Sequence, residues 1–226
     1  QQNSPVVPQR AALIPMATVG QFLSGTLGYC QANLLRLLSI AVVPVIFNIA
    51  VSFLSISGGR SAIFTTIIVS LVGWLATFLS VLALIYAVGF GDNFVNAYKK
   101  SIKNSFGYAW VSLLVTVVIM GGAVMLVVPG VIFTFWFFLS NYTFAIEGKK
   151  GMDALMASKE YVRNYLGPVL ARVLLLLLII FILGMLIGIV SVPFGEVGGR
   201  LVGSVFSLVF SPFAAVYFYM IYNNLV

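Results

Sequence analysis

Long apolar runs, which recur along this chain, constrain its fold more than any other feature. A helix needs about 20 residues to cross the hydrocarbon core of a bilayer. Only 8% of the residues are charged, against roughly 25% in ordinary globular domains, so lipid must solvate much of the surface. Stretches such as ARVLLLLLIIFILGMLIGIV lack the alternation that a transmembrane β-barrel requires. We therefore predict an all-α polytopic integral membrane protein with six transmembrane helices, at 37–56, 62–90, 108–128, 131–146, 169–190 and 201–222.

The basic residues are sorted between the gaps that separate these runs. Ten of the twelve Lys and Arg residues fall in alternate gaps, and only Arg60 and Arg200 fall in the others. Because Lys and Arg are retained on the cytoplasmic side of a membrane, this sorting predicts that both termini are cytoplasmic. Residues 1–16 read as a flexible polar tail, and 17–226 as the six-span domain.

The cytoplasmic gaps also contain amphipathic stretches. The clearest one has an aromatic or aliphatic residue at every fourth position of 94–106, with lysines between them. This spacing predicts interfacial amphipathic helices before spans one, three and five. Similar joints follow at Asn33, Asn104 and Asn164, which indicates a three-fold repeat of amphipathic helix plus helical hairpin. For the joint at Asn33 the match is weaker, and coincidence stays open.

Two kinds of small-residue site stand out within the runs. Pro129 and Gly130 separate the third run from the fourth and predict a tight turn, with one long kinked helix as the alternative. Four glycines are candidates for close helix packing, inside one bundle or between two copies. They are Gly121, Gly122, Gly184 and Gly188.

Residues 127–169 carry a recognisable pattern: a Pro-Gly pair, a short aromatic-rich run, an acidic residue before glycine, and a helix with Ala-Leu followed by Ser. The matching positions are Pro129, Gly130, Trp136, Glu147, Gly148, Ala154, Leu155 and Ser158. The pattern resembles the bacterial membrane-domain family named after the N-terminal membrane portion of some glycerophosphoryl diester phosphodiesterases. The resemblance implies a multi-span protein of the bacterial inner membrane. It does not imply the enzymatic activity, because the catalytic barrel of those enzymes and its histidines are missing from this sequence.

Residues for catalysis are scarce. The chain has no histidine, a single cysteine and five acidic residues, and no two acids stand at an obvious ligand spacing. We therefore expect no catalytic, cofactor-binding or metal-binding residues, and a non-enzymatic protein. The basic residues lie beside membrane spans and no nucleic-acid motif is present, so nucleic acid is not an expected partner.

Two charged residues at the ends of runs have alternative interpretations. Glu147 closes the fourth run beside Lys149 and Lys150. It either pairs with a lysine at the membrane edge, or anchors the following helix, or faces a cavity. Arg172 lies just inside the fifth run. Its long side chain either extends to the interface, pairs with an acid such as Glu147, or holds a lipid phosphate.

The cytoplasmic basic residues are candidate contacts for anionic lipid headgroups, although they could serve orientation alone. The set comprises Lys99, Lys100, Lys103, Lys149, Lys150, Lys159, Arg163 and Arg172. Our leading hypothesis is a non-enzymatic membrane protein that organises lipids or protein partners, a second copy of itself included. The alternative is a transporter or channel for a small or lipid-like solute, which requires a polar cavity within the membrane.

Overall fold

The computed structural model describes residues 19–54, 60–125 and 127–226, and every element in these ranges is helical. Five helices are long and apolar enough to cross a membrane, which confirms an all-α membrane protein but not six spanning helices. The predicted tail at 1–16 lies outside the described residues. The helices are α1 (Val19–Ala32), α2 (Leu34–Leu54), α3 (Arg60–Phe90), α4 (Phe94–Met125), α5 (Val127–Phe137), α6 (Ser140–Glu147), α7 (Met152–Arg163), α8 (Leu166–Ser191) and α9 (Gly195–Leu225), with a 3₁₀ turn at Val192–Phe194.

The fourth predicted span is two helices rather than one. Its residues divide between α5, of 11 residues, and α6, of 8 residues, with a turn at Phe138 and Leu139. At about 1.5 Å per residue neither helix alone covers a hydrocarbon core of about 30 Å. The turn is stabilised from outside, because the Ser158 hydroxyl of α7 donates a hydrogen bond of 2.7 Å to the carbonyl of Trp136.

Together, α5 and α6 run antiparallel to α4. Close contacts join Gly130 to Ala123 and Phe133 to Gly122 near one end. Towards the other end the Ser112 hydroxyl bonds the Asn141 amide oxygen at 3.4 Å, and then Phe144 meets Gly107. The partner numbers fall along α4 as they rise along α5 and α6. The pair thus follows α4 from Ala123 to Gly107, a length of about 24 Å.

Two of the three predicted interfacial helices exist as separate elements. The joints at Asn33 and Asn164 coincide with the ends of α1 and α7. The prediction of a separate helix before span three was wrong, since α4 continues unbroken through Asn104. There the Asn104 amide donates to the Tyr86 hydroxyl at 2.9 Å instead of capping a helix end. Because the units differ in this way, the three-fold repeat is not confirmed.

The core lies at the end of the molecule that carries most of the Lys and Arg residues, which we call the basic end. Residues 82–88 of α3 are buried at every position, so that stretch of helix is surrounded on all sides. By contrast, the first half of α3 exposes large apolar side chains such as Phe64 and Trp74. At the buried end the Tyr29 hydroxyl donates to the carbonyl of Val88 at 2.9 Å, and the Arg36 guanidinium donates to that of Gly91 at 2.9 Å. These bonds fasten α1 and α2 to the end of α3.

The α8 helix is the least embedded of the long helices. Within α8, which the structure describes throughout, Val169, Arg172 and Leu176 are the buried residues, and all three lie near its first turns. The rest of the helix presents aliphatic and aromatic side chains outward, among them Phe181 and Ile189. Lipid is the natural solvent for this surface.

Candidate functional site

Glu147 is the centre of a polar cluster at the basic end. Its Oε1 accepts a hydrogen bond of 2.6 Å from Tyr222, and its Oε2 accepts one of 3.0 Å from Tyr161. The ammonium of Lys149 lies 2.7 Å from the same Oε2 and 3.3 Å from the Tyr161 hydroxyl. We call Glu147, Lys149, Tyr161 and Tyr222 the Glu147 cluster. Because its members come from α6, α7, α9 and the loop after α6, the carboxylate joins three helices.

The electrostatics of the Glu147 cluster keep its two outer members protonated. The hydrogen bond to Glu147 raises the pKa of the Lys149 ammonium, because the carboxylate stabilises the charged form. Burial raises the pKa of the Tyr161 hydroxyl, because the phenolate would be poorly solvated. The Tyr161 hydroxyl therefore keeps its proton and donates it to Glu147, and the arrangement is that of a helix anchor in which Glu147 is paired with Lys149. Of the sequence-based interpretations of Glu147, pairing with a lysine and anchoring the following helix both describe this geometry.

Arg172 takes a different position from the one that a pair with Glu147 would require. It is 5% exposed, and its guanidinium carbon lies 5.0 Å from the centroid of the Phe22 ring. The carbonyl of Arg172 accepts a hydrogen bond of 2.8 Å from Tyr217, whose ring packs edge-on against Phe22 at 4.9 Å. Arg172 therefore helps to hold α1 against α8 and α9, and its burial removes it from the exposed basic surface.

Three of the predicted lipid-contacting lysines are engaged with other side chains. Lys100 forms an ion pair of 2.6 Å with Asp92 and Lys149 belongs to the Glu147 cluster. Lys159 is half-buried, with its ammonium 4.8 Å from the centroid of the Trp136 ring. The two ion pairs neutralise charge that a headgroup would otherwise meet, and the ring contact holds the Lys159 ammonium against α5. Four basic residues of the predicted set are exposed: Lys99, Lys103, Lys150 and Arg163.

On α4 the exposed basic residues share a face with exposed apolar ones. Val95, Lys99, Ile102 and Phe106 recur at steps of three and four and are all exposed, Phe106 at 86%. Lys103 is exposed beside them. The sequence had placed the lysines opposite the apolar row, but the buried face of α4 is formed by other residues, Ala97, Ser101 and Tyr108. We call the row of exposed residues from Val95 to Phe106, with Lys103, the α4 stripe.

A second, largely exposed row runs along α7. Met152, Met156, Lys159 and Arg163 follow one another at steps of four, three and four, so they lie on one side of the helix. Both methionines are about half exposed. The opposite side of α7 is buried against α5 and α6 through residues that include Leu155 and Val162. We call the outward row the α7 stripe.

The turn between α5 and α6, which we call the α5–α6 break, gathers polar groups. The Thr143 hydroxyl donates to the carbonyl of Ser140 at 2.8 Å and to that of Ala154 at 2.9 Å. Ser158 donates to the carbonyl of Trp136. Two buried polar atoms of the break, the hydroxyl of Ser140 and the indole nitrogen of Trp136, have no hydrogen-bond partner among the residues that the structure describes. Sequence inspection assigned no role to Ser140, and Trp136 entered only as part of a motif.

The predicted small-residue sites divide in two. A methyl group on Gly130 would lie 2.8 Å from Cα of Ala123, and one on Gly122 would lie 2.5 Å from the Phe133 ring, so both glycines permit the close packing of α4 and α5. Around Gly121, Gly184 and Gly188 a methyl group would meet no atom of the described residues within 4 Å, so no described helix packs closely there. Pro129 and Gly130 themselves lie in the first turn of α5 and not between α4 and α5.

Several residues of the site escaped prediction because their roles depend on tertiary contacts. Tyr161 had no signal in the sequence, whereas Tyr222, at the C-terminal end of the last apolar run, had the position of an interfacial aromatic. In the described part of the chain no three His, Cys, Asp or Glu side chains come together as metal ligands.

Comparison of the chain with protein-family models, with curated proteins and with solved structures gives no match. The family resemblance stays a prediction.

Proposed function

We propose that this chain is a non-enzymatic membrane protein that binds anionic lipids at the cytoplasmic face of a bacterial inner membrane and so organises lipids or protein partners there. The observation that carries the proposal is the pairing of exposed basic and apolar residues in the α4 and α7 stripes. Apolar side chains such as Phe106 suit the acyl boundary, and neighbouring ammonium groups suit headgroup phosphates.

The energetics favour an additive electrostatic contribution. A Lys or Arg near an anionic surface contributes on the order of 1 kcal/mol. Lys99, Lys103, Lys150 and Arg163 together would therefore enrich anionic over zwitterionic lipid, and salt would weaken the enrichment because exposed charges are screened. The buried core at the basic end supports the proposal. Residues 82–88 of α3 and the Glu147 cluster hold the helices together there, and two of these helices, α4 and α7, carry the stripes.

The orientation is part of the proposal. We take α5 and α6 together as a sixth crossing, since they accompany α4 over about 24 Å and return to the end of α3, where Ile146 packs on Gly89. Six crossings would bring both termini to the basic side, which the charge sorting assigns to the cytoplasm. Reporter fusions at Lys150 and at the C-terminus test this arrangement. Both reporters should be active on the cytoplasmic side, and an exported reporter at Lys150 would contradict it.

Two double variants test lipid binding with the same change of net charge. One replaces the exposed pair of the α4 stripe, Lys99→Gln with Lys103→Gln, and the control replaces two ion-paired lysines, Lys100→Gln with Lys149→Gln. Purified proteins in nanodiscs of mixed phosphatidylglycerol and phosphatidylcholine are analysed for bound lipid by native mass spectrometry. We expect the exposed-pair variant to lose most of its phosphatidylglycerol enrichment and the control to keep it. An equal loss in both variants would show that net charge alone causes the phosphatidylglycerol enrichment. That result would contradict a binding site at Lys99 and Lys103.

A transporter is the second candidate, because a discontinuous helix lies beside α4. Broken membrane helices whose ends face the protein interior often form solute sites. Liposomes that contain the protein and fluorescent phosphatidylglycerol, quenched from outside by dithionite, measure lipid translocation. Under our leading proposal the quenched fraction stays at the level of protein-free liposomes, near one half. A fraction well above one half would favour the transporter.

A further inference from the structure

The α5–α6 break has the features of a binding site that the exposed stripes do not provide. The N-cap residue of α6, Leu139, makes no side-chain cap hydrogen bond. The first residue of the helix, Ser140, is completely buried. Backbone N–H groups in a first helical turn carry partial positive charge and ordinarily receive a cap or a ligand.

Two buried hydrogen-bond donors near this turn have no partner. The Ser140 hydroxyl is one, and the indole N–H of Trp136 is the other. An indole N–H can only donate, so its partner must be an acceptor. A buried polar atom without a partner costs roughly as much as a lost hydrogen bond, so such atoms in native proteins are usually satisfied by an ordered water, an ion or a ligand.

The charge around the break favours an anionic acceptor. The ammonium of Lys159 lies 4.8 Å from the centroid of the Trp136 ring. The neighbouring hydroxyls of Ser158 and Thr143 already donate to backbone carbonyls. Lys159 and Trp136 are both half-buried, so the α7 side of the break is partly accessible from the surface.

We propose that the α5–α6 break binds a phosphate oxygen, from a lipid headgroup or from free phosphate, with Trp136, Ser140 and the first turn of α6 as hydrogen-bond donors and Lys159 as the countercharge. Helix N-termini with adjacent donors and a cation are established anion sites. This site shares Lys159 with the α7 stripe, but Trp136, Ser140 and the first turn of α6 lie outside both stripes. Its test therefore uses Trp136 emission and Ser140→Ala, which the function proposed above does not involve.

The test uses Trp136 as the sole tryptophan. Trp74 and Trp110 are exposed, so replacement of both by phenylalanine should leave the fold intact. This protein, in a phosphate-free neutral detergent, is titrated separately with inorganic phosphate, with short-chain phosphatidylglycerol and with short-chain diacylglycerol, and Trp136 emission is recorded. We expect saturable changes with a phosphate-bearing ligand and none with diacylglycerol. A response to inorganic phosphate assigns a free-phosphate site, and a response to phosphatidylglycerol alone assigns a headgroup site.

Variants locate the response. Ser140→Ala and Lys159→Gln should each weaken the apparent affinity by about ten-fold or more, because each removes a charge-assisted contact. The matched controls, Ser105→Ala and Lys100→Gln, change partly exposed groups outside both proposed sites and should leave the affinity unchanged. If Ser140→Ala does not fold, binding of radiolabelled phosphate and phosphatidylglycerol by Trp136→Phe replaces it and should be weakened. No response to either phosphate ligand, or an equal response to diacylglycerol, would overturn the proposal.

Discussion

The hydroxyl of Tyr222 donates a hydrogen bond of 2.6 Å to Oε1 of Glu147, and this contact joins the end of α6 to the last turn of α9. The two residues are 75 positions apart. A second hydroxyl, from Tyr161, reaches the other carboxylate oxygen at 3.0 Å. The rings of Tyr161 and Tyr222 also pack edge-on, with centroids 6.4 Å apart. The short helix α6 thus ends in a contact that fixes it to both α7 and α9.

Glu147→Gln should lower stability because it removes the charged acceptor of two hydroxyls and the partner of Lys149. Hydrogen bonds to a charged group contribute about 1.5–3 kcal/mol each when buried, and the carboxylate is partly exposed, so we expect a total loss of about 1–3 kcal/mol. For a chain of this size that lowers the apparent Tm by about 2–4 °C per kcal/mol. Differential scanning fluorimetry of the purified protein in detergent measures the change.

The control for this variant is Glu160→Gln, which removes an exposed carboxylate of the neighbouring helix α7. Its apparent Tm should change by no more than about 1 °C, since substitutions at exposed positions have small effects. Equal shifts in the two variants would mean that the Glu147 cluster contributes nothing beyond surface charge.

Most of the helical framework follows from the sequence because membrane thickness sets the length of an apolar run. The runs at 37–56, 62–90, 169–190 and 201–222 fall within the helices α2, α3, α8 and α9, allowing for small shifts and for residues 55–59, which lie outside the described ranges. The division of 131–146 was not predictable in this way. The carbonyl of Trp136 accepts a hydrogen bond from Ser158, which lies 22 residues further along the chain. The local sequence around Trp136 does not indicate so distant a partner.

The two similar joints show how tertiary contacts override local sequence. Asn104 and Asn164 have like neighbours, yet the chain bends at Asn164 and stays helical at Asn104. At Asn104 the amide is bound by Tyr86, and a turn later Gly107 leaves room for the Phe144 ring. Similarly, the rotation of α4 about its axis determines which of its lysines are exposed. That rotation is set by packing against other helices and not by the composition of α4.

Gly130→Ala should destabilise the protein, since the added methyl group would lie 2.8 Å from Cα of Ala123 on the facing helix. Backbone cannot retreat as a flexible side chain can, so α4 and α5 must separate. We expect a loss of about 1–3 kcal/mol, as for other overpacked sites. Gly184→Ala serves as the control, because its methyl group would meet no atom within 4 Å. Thermal denaturation of both variants in the same detergent compares them, and an unaffected Gly130→Ala would disprove the close packing of α4 and α5.

Ser158→Ala should loosen the α5–α6 break by removing the donor to the carbonyl of Trp136. The serine is fully buried, so the carbonyl would be left without that partner, at a cost of about 1–3 kcal/mol. Hydrogen–deuterium exchange followed by mass spectrometry should show faster exchange in residues 134–143. Ser105→Ala, which removes only a local bond to the carbonyl of Ile102, should leave that region unchanged. If both variants exchange alike across 134–143, α7 does not stabilise the break.

Alkaline pH should destabilise the protein in part through Tyr161. Burial raises the pKa of this hydroxyl above its ordinary value of about 10. Above pH 10 the unfolded chain therefore loses the Tyr161 proton before the folded protein does. Its contribution to stability is complete below about pH 10 and declines as the pH rises through the folded-state pKa. Lys149, whose pKa is also raised, acts in the same direction.

Apparent Tm measured between pH 8 and about pH 11.5 should fall less steeply for Tyr161→Phe than for the unchanged protein. Tyr165→Phe, at an exposed position of the same region, should keep the original slope, and identical slopes for all three proteins would show that Tyr161 ionises as freely in the folded state as in the unfolded chain.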